Sequence, residues 1–308
     1  MTRFSLSTDR LTEPTSIALV QAIQQQAIST SLSPDPIATA FVRQGSAQLQ
    51  NQSQNLPILF LHGFDSSMLE FRRLMPLLAD HTETWAIDLL GFGFTERVPQ
   101  LLLDPAAIKT HLYATWEHLI GQPVVLVGAS MGGAAAIDFA LTYPEAVSQL
   151  ILIDSAGFTV GPSVGKFLIP PLGYLATAFL RNPKVRQSIS LKAYHDPSLA
   201  SLDAQYCAAL HLEQPGWQQA LINFTRSGGY TSFRDKLAHL QSPTLILWGQ
   251  NDRILGTADA EKFQQAIPQS ELIWIENCGH VPHLEKPQTT ADYILSFIRQ
   301  QSLVGDRV

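Results

Sequence analysis

The chain has 308 residues and a formal net charge of -6, and only 15% of its residues are charged. The negative balance and the lack of a basic cluster in the sequence argue against nucleic acid as a partner and against electrostatic docking on anionic lipid. The length allows either two ordinary domains or one large α/β domain that carries an insertion.

Cysteine content and apolar runs predict where the chain resides. Two cysteines, Cys207 and Cys278, are too few for a disulfide framework and lack the spacing of metal ligands. Residues 1–10 contain no apolar segment of the kind that a secretory signal needs. The longest apolar stretch, residues 167–180, is interrupted by two prolines and is shorter than the ~20 helical residues that span a bilayer. These features predict a cytoplasmic protein without a transmembrane segment.

The first 40 residues are predicted to form an N-terminal helical extension. Thr15 or Ser16 is a suitable N-cap residue, and apolar side chains recur at helical spacing after it. Those side chains are Ile17, Val20, Ile23, Ala27 and Ile28. Glutamines rather than lysines occupy the other face, so we expect this helix to pack on the body of the protein and not to anchor it in a membrane.

Short apolar and β-branched runs alternate with helical patterns from residue 41 onward. The predicted strands are residues 57–61, 84–88, 124–127, 150–154, 244–248 and 271–276. The predicted helices are residues 71–79, 108–120, 131–143, 258–267 and 289–299. This alternation predicts an α/β fold in which residues 41–156 and 237–308 form a mostly parallel central sheet flanked by helices.

The alternation stops in residues 157–236, where helical patterns and prolines occur without a convincing strand pair. We predict that these residues form a helical cap inserted into the sheet domain. The insertion directly follows a strand, which places it at the carboxyl ends of the strands, where open α/β sheets bind ligands. Its large apolar side chains favour an apolar substrate. They are Phe167, Leu168, Ile169, Leu172, Tyr174, Leu175, Phe179, Leu180, Trp217, Phe224, Tyr230 and Phe233.

A candidate nucleophile lies where the strand at residues 124–127 gives way to an alanine-rich helical run. Segment 128–132 reads G-A-S-M-G, and a sharp strand-to-helix turn there would lift the Ser130 side chain clear of the sheet. The two glycines avoid a collision of β-carbons where strand and helix cross. A second G-x-S-x-G match centres on Ser163, but no strand leads into it and Pro162 cannot donate a backbone hydrogen bond. The context therefore favours Ser130.

A serine hydroxyl needs an adjacent base to attack at neutral pH, normally a histidine oriented by a buried carboxylate. Asp252 and His280 each follow the carboxyl end of a predicted strand, in the chain order Ser, Asp, His. Asp154 also ends a strand and is the rival for the acid, and His283 is the rival for the base. We favour Asp252 and His280, and we expect neither a cofactor nor a metal ion in the site.

Together these segments resemble the α/β-hydrolase superfamily, in particular its branch with a helical cap and a Ser-Asp-His triad. The likeness covers roughly residues 55–303. It is carried by the G-A-S-M-G turn, by W-G-Q-N-D ending at Asp252 and by N-C-G-H ending at His280. The resemblance implies that Ser130, Asp252 and His280 form the catalytic triad.

Negative charge that develops on a carbonyl oxygen must meet preset hydrogen-bond donors. Met131 begins the helix after the serine, so its backbone N–H is the first expected donor of this oxyanion hole. The resemblance implies that Phe64, in the sequence His62-Gly63-Phe64, supplies the second backbone N–H. We expect the side chains of Phe64 and Met131 to face the substrate.

The expected activity is that of a carboxylesterase-like serine hydrolase that cleaves an ester or similar acyl bond of a mainly apolar small molecule through an acyl-enzyme. Haloalkane dehalogenases and epoxide hydrolases of this architecture carry an aspartate at the turn, so Ser130 disfavours their activities. Carbon-carbon bond hydrolases of ring-cleavage products retain Ser, Asp and His and stay open as an alternative. A non-catalytic ligand-binding relative is a third hypothesis, because fold alone does not fix function. The sequence also leaves a homodimer open.

Overall fold

One sheet of nine strands forms the centre of the structure, a computed structural model that describes residues 2–3, 6–45, 56–159 and 170–305. The strands in chain order are β1 (Thr2–Arg3), β2 (Gln24–Ile28), β3 (Ile37–Gln44), β4 (Ile58–Leu61), β5 (Thr84–Ile87), β6 (Val124–Ala129), β7 (Val147–Ile153), β8 (Thr244–Gly249) and β9 (Ser270–Ile275). Their order across the sheet is β1-β2-β3-β5-β4-β6-β7-β8-β9. The pairs from β5 to β9 are parallel, and β1, β2 and β3 join antiparallel. The predicted α/β class and all six predicted strands are confirmed.

Helices connect and cover these strands. In the described ranges they are α1 (Pro14–Gln21), α2 (Met75–Ala79), α3 (Pro105–Leu119), α4 (Met131–Thr142), α5 (Pro170–Arg181), α6 (Pro183–Ala193), α7 (Leu202–Ala209), α8 (Trp217–Ser227), α9 (Ala260–Ala266), α10 (Pro282–Glu285) and α11 (Pro287–Gly305). The helix predicted at residues 71–79 is instead a 3-10 turn, Met68–Phe71, followed by the short α2. Pro76 is tolerated only in the first turn of a helix, so α2 begins next to it. None of the helices in the described part of the chain combines the length and apolar character needed to cross a bilayer.

The central strands are apolar on both faces because helices cover both sides of the sheet. In β4, the side chains of Leu59 and Leu61 pack in one buried cluster with α3, α4 and α9. Those of Ile58 and Phe60 pack in a second cluster with α1, α2 and α11. All four residues are fully buried. The sheet is therefore a rigid layer from whose carboxyl edge the loops of the site project.

The N-terminal helical extension predicted for residues 1–40 is wrong in part. A helix is present, but α1 ends at Gln21, and the residues predicted to continue it form β2. β2 pairs with β3, which in turn pairs with β5, so this segment belongs to the sheet and residue 40 lies inside β3. The spacing of Ile23, Ala27 and Ile28 suits a helix, but ladder hydrogen bonds to β3 override that local preference.

Between β7 and β8 the described residues form the four helices α5 to α8 and no strand; we call them the cap helices. They pack against loops at the carboxyl edge of the sheet. The ring centroid of Phe224 on α8 lies 6.1 Å from that of Phe64 and 5.2 Å from that of Phe92. The second G-x-S-x-G match, around Ser163, lies outside the described residues, as do Phe167, Leu168 and Ile169 of the predicted apolar run.

Candidate active site

Ser130 occupies the turn between β6 and α4 in a strained backbone conformation. Its φ of 53° and ψ of -119° lie in a region that residues with a β-carbon rarely adopt. The backbone N–H of Ser130 donates to the carbonyl of Ile153 on β7 at 3.0 Å. Its own carbonyl accepts the N–H groups of Gly133 and Ala156, both at 3.0 Å. These bonds hold the strained turn against the edge of the sheet.

The glycines on either side of Ser130 meet a steric requirement. A β-carbon at Gly128 would lie 2.3 Å from the carbonyl oxygen of Gly132, and one at Gly132 would lie 2.0 Å from that of Leu61. Both distances are far below van der Waals contact. The helix can therefore cross β6 and β4 this closely only if both positions lack a side chain.

His280 and Asp252 form a buried hydrogen-bonded pair in the loops after β9 and β8. His280 Nδ1 lies 2.9 Å from Asp252 Oδ2, which assigns the proton to Nδ1. Asp252 Oδ1 accepts the N–H groups of Ile254 at 2.7 Å and Leu255 at 3.1 Å. Burial alone would raise the pKa of Asp252, but the hydrogen bond and charge of His280 and the two N–H donors outweigh it and hold the pKa below its usual value. Asp252 is thus an ionised carboxylate that fixes the orientation of the imidazole.

Asp154, the rival acid, lies beside Asp252 but in a different state. It is fully buried, and its Oδ1 accepts the N–H of Gly249 at 3.0 Å. Burial and the negative charge of Asp252 raise the pKa of Asp154 well above its usual value, opposite to the direction found for Asp252. Within the described residues, Asp154, Asp252 and His280 are the one group whose ligand atoms could converge on a cation, all within 4.8 Å of one another. His280 Nδ1 and Asp252 Oδ2 of this trio are already joined by a hydrogen bond of 2.9 Å.

A cavity of about 330 Å³ lies between the sheet domain and the cap helices. Ser130 and His280 line it from the sheet side, together with Phe64 from the loop after β4. Leu180 of α5 and Ile189 of α6 line it from the cap side. The structure thus brings the predicted nucleophile and base to one partly apolar pocket, whose walls come from both parts of the chain.

The two predicted oxyanion donors belong to segments on either side of Ser130. Met131 is the first residue of α4, and Phe64 follows Gly63, where a β-carbon would lie 3.4 Å from that of Ser130. The Met131 side chain packs in the buried cluster shared with α3 and α9, whereas the Phe64 side chain is partly exposed and its residue lines the cavity.

Glu70 and His283 form a polar corner of the same cavity. Glu70 Oε1 accepts the N–H of Gly63 at 3.0 Å, and burial raises the pKa of Glu70 to about 7. His283 Nε2 lies 3.8 Å from Glu70 Oε1, and burial lowers the pKa of His283 to about 3. The rival base is therefore a neutral ring next to Glu70, whereas His280 is the histidine bonded to Asp252.

Asp65, which sequence reasoning missed, joins the loop after β4 to the cap. Its Oδ2 accepts Arg186 Nη1 at 2.8 Å, and its Oδ1 accepts Trp217 Nε1 at 2.8 Å and lies 3.2 Å from His211 Nε2. Burial would raise the pKa of Asp65, but the hydrogen bond and charge of His211 and the charge of Arg186 hold it below its usual value. Because Asp65 directly follows Phe64, the cap is tied to the loop that carries a predicted oxyanion donor. No local sequence signal marks this contact, since its partners lie 121 to 152 residues away.

A parallel sheet that leads from β6 through a strained serine turn into α4, with helices inserted after β7, defines the α/β-hydrolase fold. Residues 58–293 match the family model described as alpha/beta hydrolase family. The chain belongs to that family.

Similar proteins include hydrolases of more than one kind. The chain is 34% identical over 252 residues to the alpha/beta hydrolase domain-containing protein VTE7 of Arabidopsis thaliana, across 81% of this chain and 75% of that protein. It is 28% identical over 239 residues to the 2-hydroxy-6-oxo-2,4-heptadienoate hydrolase of Pseudomonas putida, across 75% of this chain and 84% of that enzyme. The structure of a thermophilic esterase from Thermogutta terrifontis superposes with a TM-score of 0.74 at 25% identity, covering 90% of this chain and 98% of that one. These similarities support hydrolase activity.

Proposed function

We propose that the chain is a serine hydrolase that cleaves an ester or similar acyl bond of a mainly apolar small molecule through an acyl-enzyme. One observation carries the proposal. Ser130, on a strained turn, lines the same cavity as His280, whose ring is oriented by the ionised Asp252. Nucleophile, base and orienting acid are the three roles that acyl transfer requires.

In the proposed reaction, the Oγ of Ser130 attacks the carbonyl carbon of the substrate while His280 Nε2 takes the hydroxyl proton. The tetrahedral intermediate then collapses, the bond to the alkoxide leaving group breaks, and His280 returns the proton to that oxygen. Water attacks the acyl-enzyme with His280 again as base, which releases the acid and restores Ser130. Asp252 keeps the imidazole in the tautomer that leaves Nε2 unprotonated, and it stabilises the imidazolium that forms in both halves of the cycle.

Charge on the carbonyl oxygen is proposed to be met by the backbone N–H groups of Met131 and Phe64. The first lies at the amino terminus of α4, where the helix dipole also favours negative charge. One such donor contributes about 2.7 to 4 kcal/mol to transition-state stabilisation in other hydrolases. Glu70 holds the N–H of Gly63, so the loop that carries Phe64 is fixed from inside the protein as well as by Asp65.

The cavity supports a substrate of modest size with an apolar part. Its volume of about 330 Å³ lies at the lower end of the ~300 to 1,000 Å³ that is usual for small-molecule pockets. Leu180, Ile189 and Phe64 offer apolar surface, and the polar corner at Glu70 and His283 offers hydrogen-bonding groups at one side. This arrangement suits an acyl chain whose other end carries a polar group.

We place this chemistry in the cytoplasm. Cys207 and Cys278 are both free and buried, as a reducing compartment allows. Burial raises the pKa of both thiols, so neither competes with Ser130 as a nucleophile.

Cleavage of a carbon-carbon bond is the second candidate, favoured by the likeness to the Pseudomonas putida hydrolase. That reaction uses the same three residue types, so the triad does not separate the two activities. A 2-hydroxy-6-oxo dienoate loses the absorbance of its conjugated system when its carbon-carbon bond is cleaved. A chromogenic ester gives the opposite signal, because its hydrolysis releases a coloured phenolate. The two substrates therefore give opposite and separately measurable signals with one enzyme preparation.

The test is turnover of a panel of p-nitrophenyl esters of increasing chain length, run beside a 2-hydroxy-6-oxo dienoate. We expect ester turnover that Ser130→Ala abolishes and that Ser163→Ala, at the second motif, leaves nearly intact. Serine-dependent turnover of the dienoate alone would replace the ester proposal with the carbon-carbon one. Binding of panel members without turnover of any of them would favour the non-catalytic ligand-binding class.

A further inference from the structure

The outward face of α5 carries apolar side chains without a partner among the described residues. Leu175 and Phe179 are 67% and 64% exposed, and Leu172 is exposed as well. Positions 172, 175 and 179 share one face of a helix because of its 3.6-residue repeat. Exposure of such an apolar face to water is unfavourable, because burial of these side chains would release the water that they order.

The opposite face of α5 is already used for packing. Gly173 approaches Ile222 of α8 so closely that a β-carbon would lie 3.2 Å from that side chain. Thr177 is buried, and its Oγ1 accepts Gln218 Nε2 of α8 at 2.7 Å. The helix is therefore fixed to the cap by one side, and its apolar outer face does not result from a helix that is turned the wrong way.

The charge of this part of the chain differs from that of the whole. Residues 170–195 contain four Lys or Arg and no Asp or Glu, in a chain whose net charge is -6. Arg186 is paired with Asp65, but Arg181 at the end of α5 and Lys184 and Lys192 on α6 are exposed. The whole-chain charge, which disfavours docking on anionic lipid, thus conceals a local surface of the opposite sign. At ~0.1 M salt, charges more than about 10 Å from that surface are largely screened.

The same two helices border the cavity. Leu180 of α5 and Ile189, Ser190 and Ala193 of α6 line it, and Ile189 is also an exposed side chain. A lipid surface in contact with α5 and α6 would lie beside the pocket that contains Ser130. Helices α5 and α6 combine exposed apolar side chains with exposed cations and contain no Asp or Glu of their own, a composition suited to the interface of an anionic bilayer.

We propose that the outer surface of α5 and α6 docks the protein on an anionic lipid bilayer. The contact is peripheral: apolar side chains enter the interface, and the lysines and Arg181 meet lipid phosphates. Docking itself does not depend on the proposed hydrolase activity. Its consequence, that the substrate is drawn from the lipid phase, rests on that proposed function.

Flotation of the full-length protein with vesicles tests the docking. The probes are vesicles of phosphatidylcholine alone and of equal parts phosphatidylcholine and phosphatidylglycerol. We expect the wild-type protein to float with the anionic vesicles, less with the neutral ones, and less in 1 M salt as screening predicts. Leu175→Asp with Phe179→Asp should weaken binding to the anionic vesicles about a hundredfold, since each buried side chain contributes about tenfold or more.

Matched variants separate the two contributions. Lys184→Glu with Lys192→Glu should weaken binding to anionic vesicles by about 25-fold or more, at roughly fivefold per cation, and leave binding to neutral vesicles nearly unchanged. Leu303→Asp is the control, because Leu303 on α11 is 65% exposed, like Leu175, but lies on another part of the chain. Ser130→Ala should bind as the wild type does, which keeps the result independent of catalysis.

Three results would overturn the proposal. The first is that the wild-type protein floats with neither kind of vesicle. The second is that Leu303→Asp weakens vesicle binding as much as the α5 variant does. The third is that the protein sediments as a dimer, that Leu175→Asp makes it a monomer, and that vesicles do not bind. The last result would assign the surface to a second copy of the chain. Circular dichroism shows that every variant is folded. For all of them except Ser130→Ala, turnover of a short-chain, water-soluble ester gives a second check, because none of those other substituted side chains lines the cavity.

Discussion

Removal of the Asp65 carboxylate is expected to weaken both the cap contact and catalysis. Asp65→Gly is the informative change, because the φ of 49° at this position suits glycine and would strain alanine. It deletes the acceptor of Arg186, Trp217 and His211 in one step. Asp65→Asn is the conservative partner, because it keeps the shape and one acceptor oxygen but removes the charge.

The expected loss of unfolding free energy follows from the burial of this cluster. The side chains of Asp65 and Arg186 are only 8% and 18% exposed, so the pair is not a surface salt bridge. Removal of one partner of a buried pair costs about 3 to 5 kcal/mol, and unpaired buried N–H groups account for much of it. We therefore expect the free energy of unfolding to fall by about 3 to 5 kcal/mol in Asp65→Gly and by about 1 to 2 kcal/mol in Asp65→Asn. Asp235→Ala, in a fully exposed pair with Arg234, should lose less than about 1 kcal/mol.

Urea unfolding and steady-state kinetics on a short-chain ester measure the two effects separately. If Phe64 is an oxyanion donor as proposed, loss of that donor would lower kcat by ~100 to 1,000-fold, which sets the upper limit for an effect transmitted through its neighbour Asp65. We expect kcat to fall at least tenfold in Asp65→Gly, with a smaller change in KM. The coupling between the cap contact and catalysis would be refuted if Asp65→Gly unfolds at the same urea concentration as the wild type and has a kcat within twofold of that of the Asp235→Ala control. If Asp65→Gly does not fold, the same comparison is made with Asp65→Asn.

Three further changes test other parts of the site. Asp252→Asn should lower kcat by orders of magnitude because it disturbs the tautomer of the histidine. Asp154→Asn should lower kcat less than tenfold, because the hydrogen bond to His280 comes from Asp252 and burial disfavours the charge on Asp154. The reverse ranking in ester kinetics would show that the acid has been misassigned. Glu70 has its pKa raised from 4.5 to about 7 on folding, so the folded state loses about 3 kcal/mol as pH rises from ~4.5 to ~7. Glu70→Gln removes this titration. Its free energy of unfolding, measured with urea, should therefore rise by the same amount relative to that of the wild type between these two pH values. A difference between the two proteins that does not change with pH would contradict the assignment. Gly132→Ala should abolish soluble expression, because its β-carbon would lie 2.0 Å from the Leu61 carbonyl oxygen; a stable, active variant would show that helix and strand can separate.

The strands that position the site were predictable because their sequences are continuously apolar. A strand covered by helices on both faces has no polar alternation, so runs such as those of β4, β6 and β8 stand out in the sequence. Parallel strands end at one edge of the sheet, and this rule alone was enough to expect side chains after β6, β8 and β9 to converge. The sharp turn at Ser130 was predictable for the same reason, since β6 runs directly into α4.

The N-terminal strands were missed because their local sequence is ambiguous. β2 consists of three glutamines followed by Ala27 and Ile28, and only the last of these is buried. Such a strand gains its stability from pairing with β3 rather than from its own composition. Periodicity over a few residues cannot separate this case from the end of an amphipathic helix.

The polar contacts around the cavity could not be derived from local patterns at all. Asp65 meets cap residues more than a hundred positions away. Glu70 bonds to Gly63 from within a 3-10 turn, Met68–Phe71, that precedes almost all of the helix predicted at residues 71–79. The contacts of Asp65 depend on how the cap lies on the sheet. They explain why two carboxyl groups that line the cavity shift in opposite directions. His211, Arg186 and Trp217 lower the pKa of Asp65 against the effect of burial, whereas burial and the charge of Asp88 raise the pKa of Glu70.

Covalent labelling tests the central claim, that Ser130 is the nucleophile, most directly. The protein is treated with a fluorophosphonate, digested and analysed by mass spectrometry, and Ser130→Ala and Ser163→Ala are treated in parallel. We expect one phosphonyl group per chain on the peptide that contains Ser130, no labelling of Ser130→Ala, and wild-type labelling of Ser163→Ala. A label on Ser163, or equal labelling of wild type and Ser130→Ala, would contradict the account.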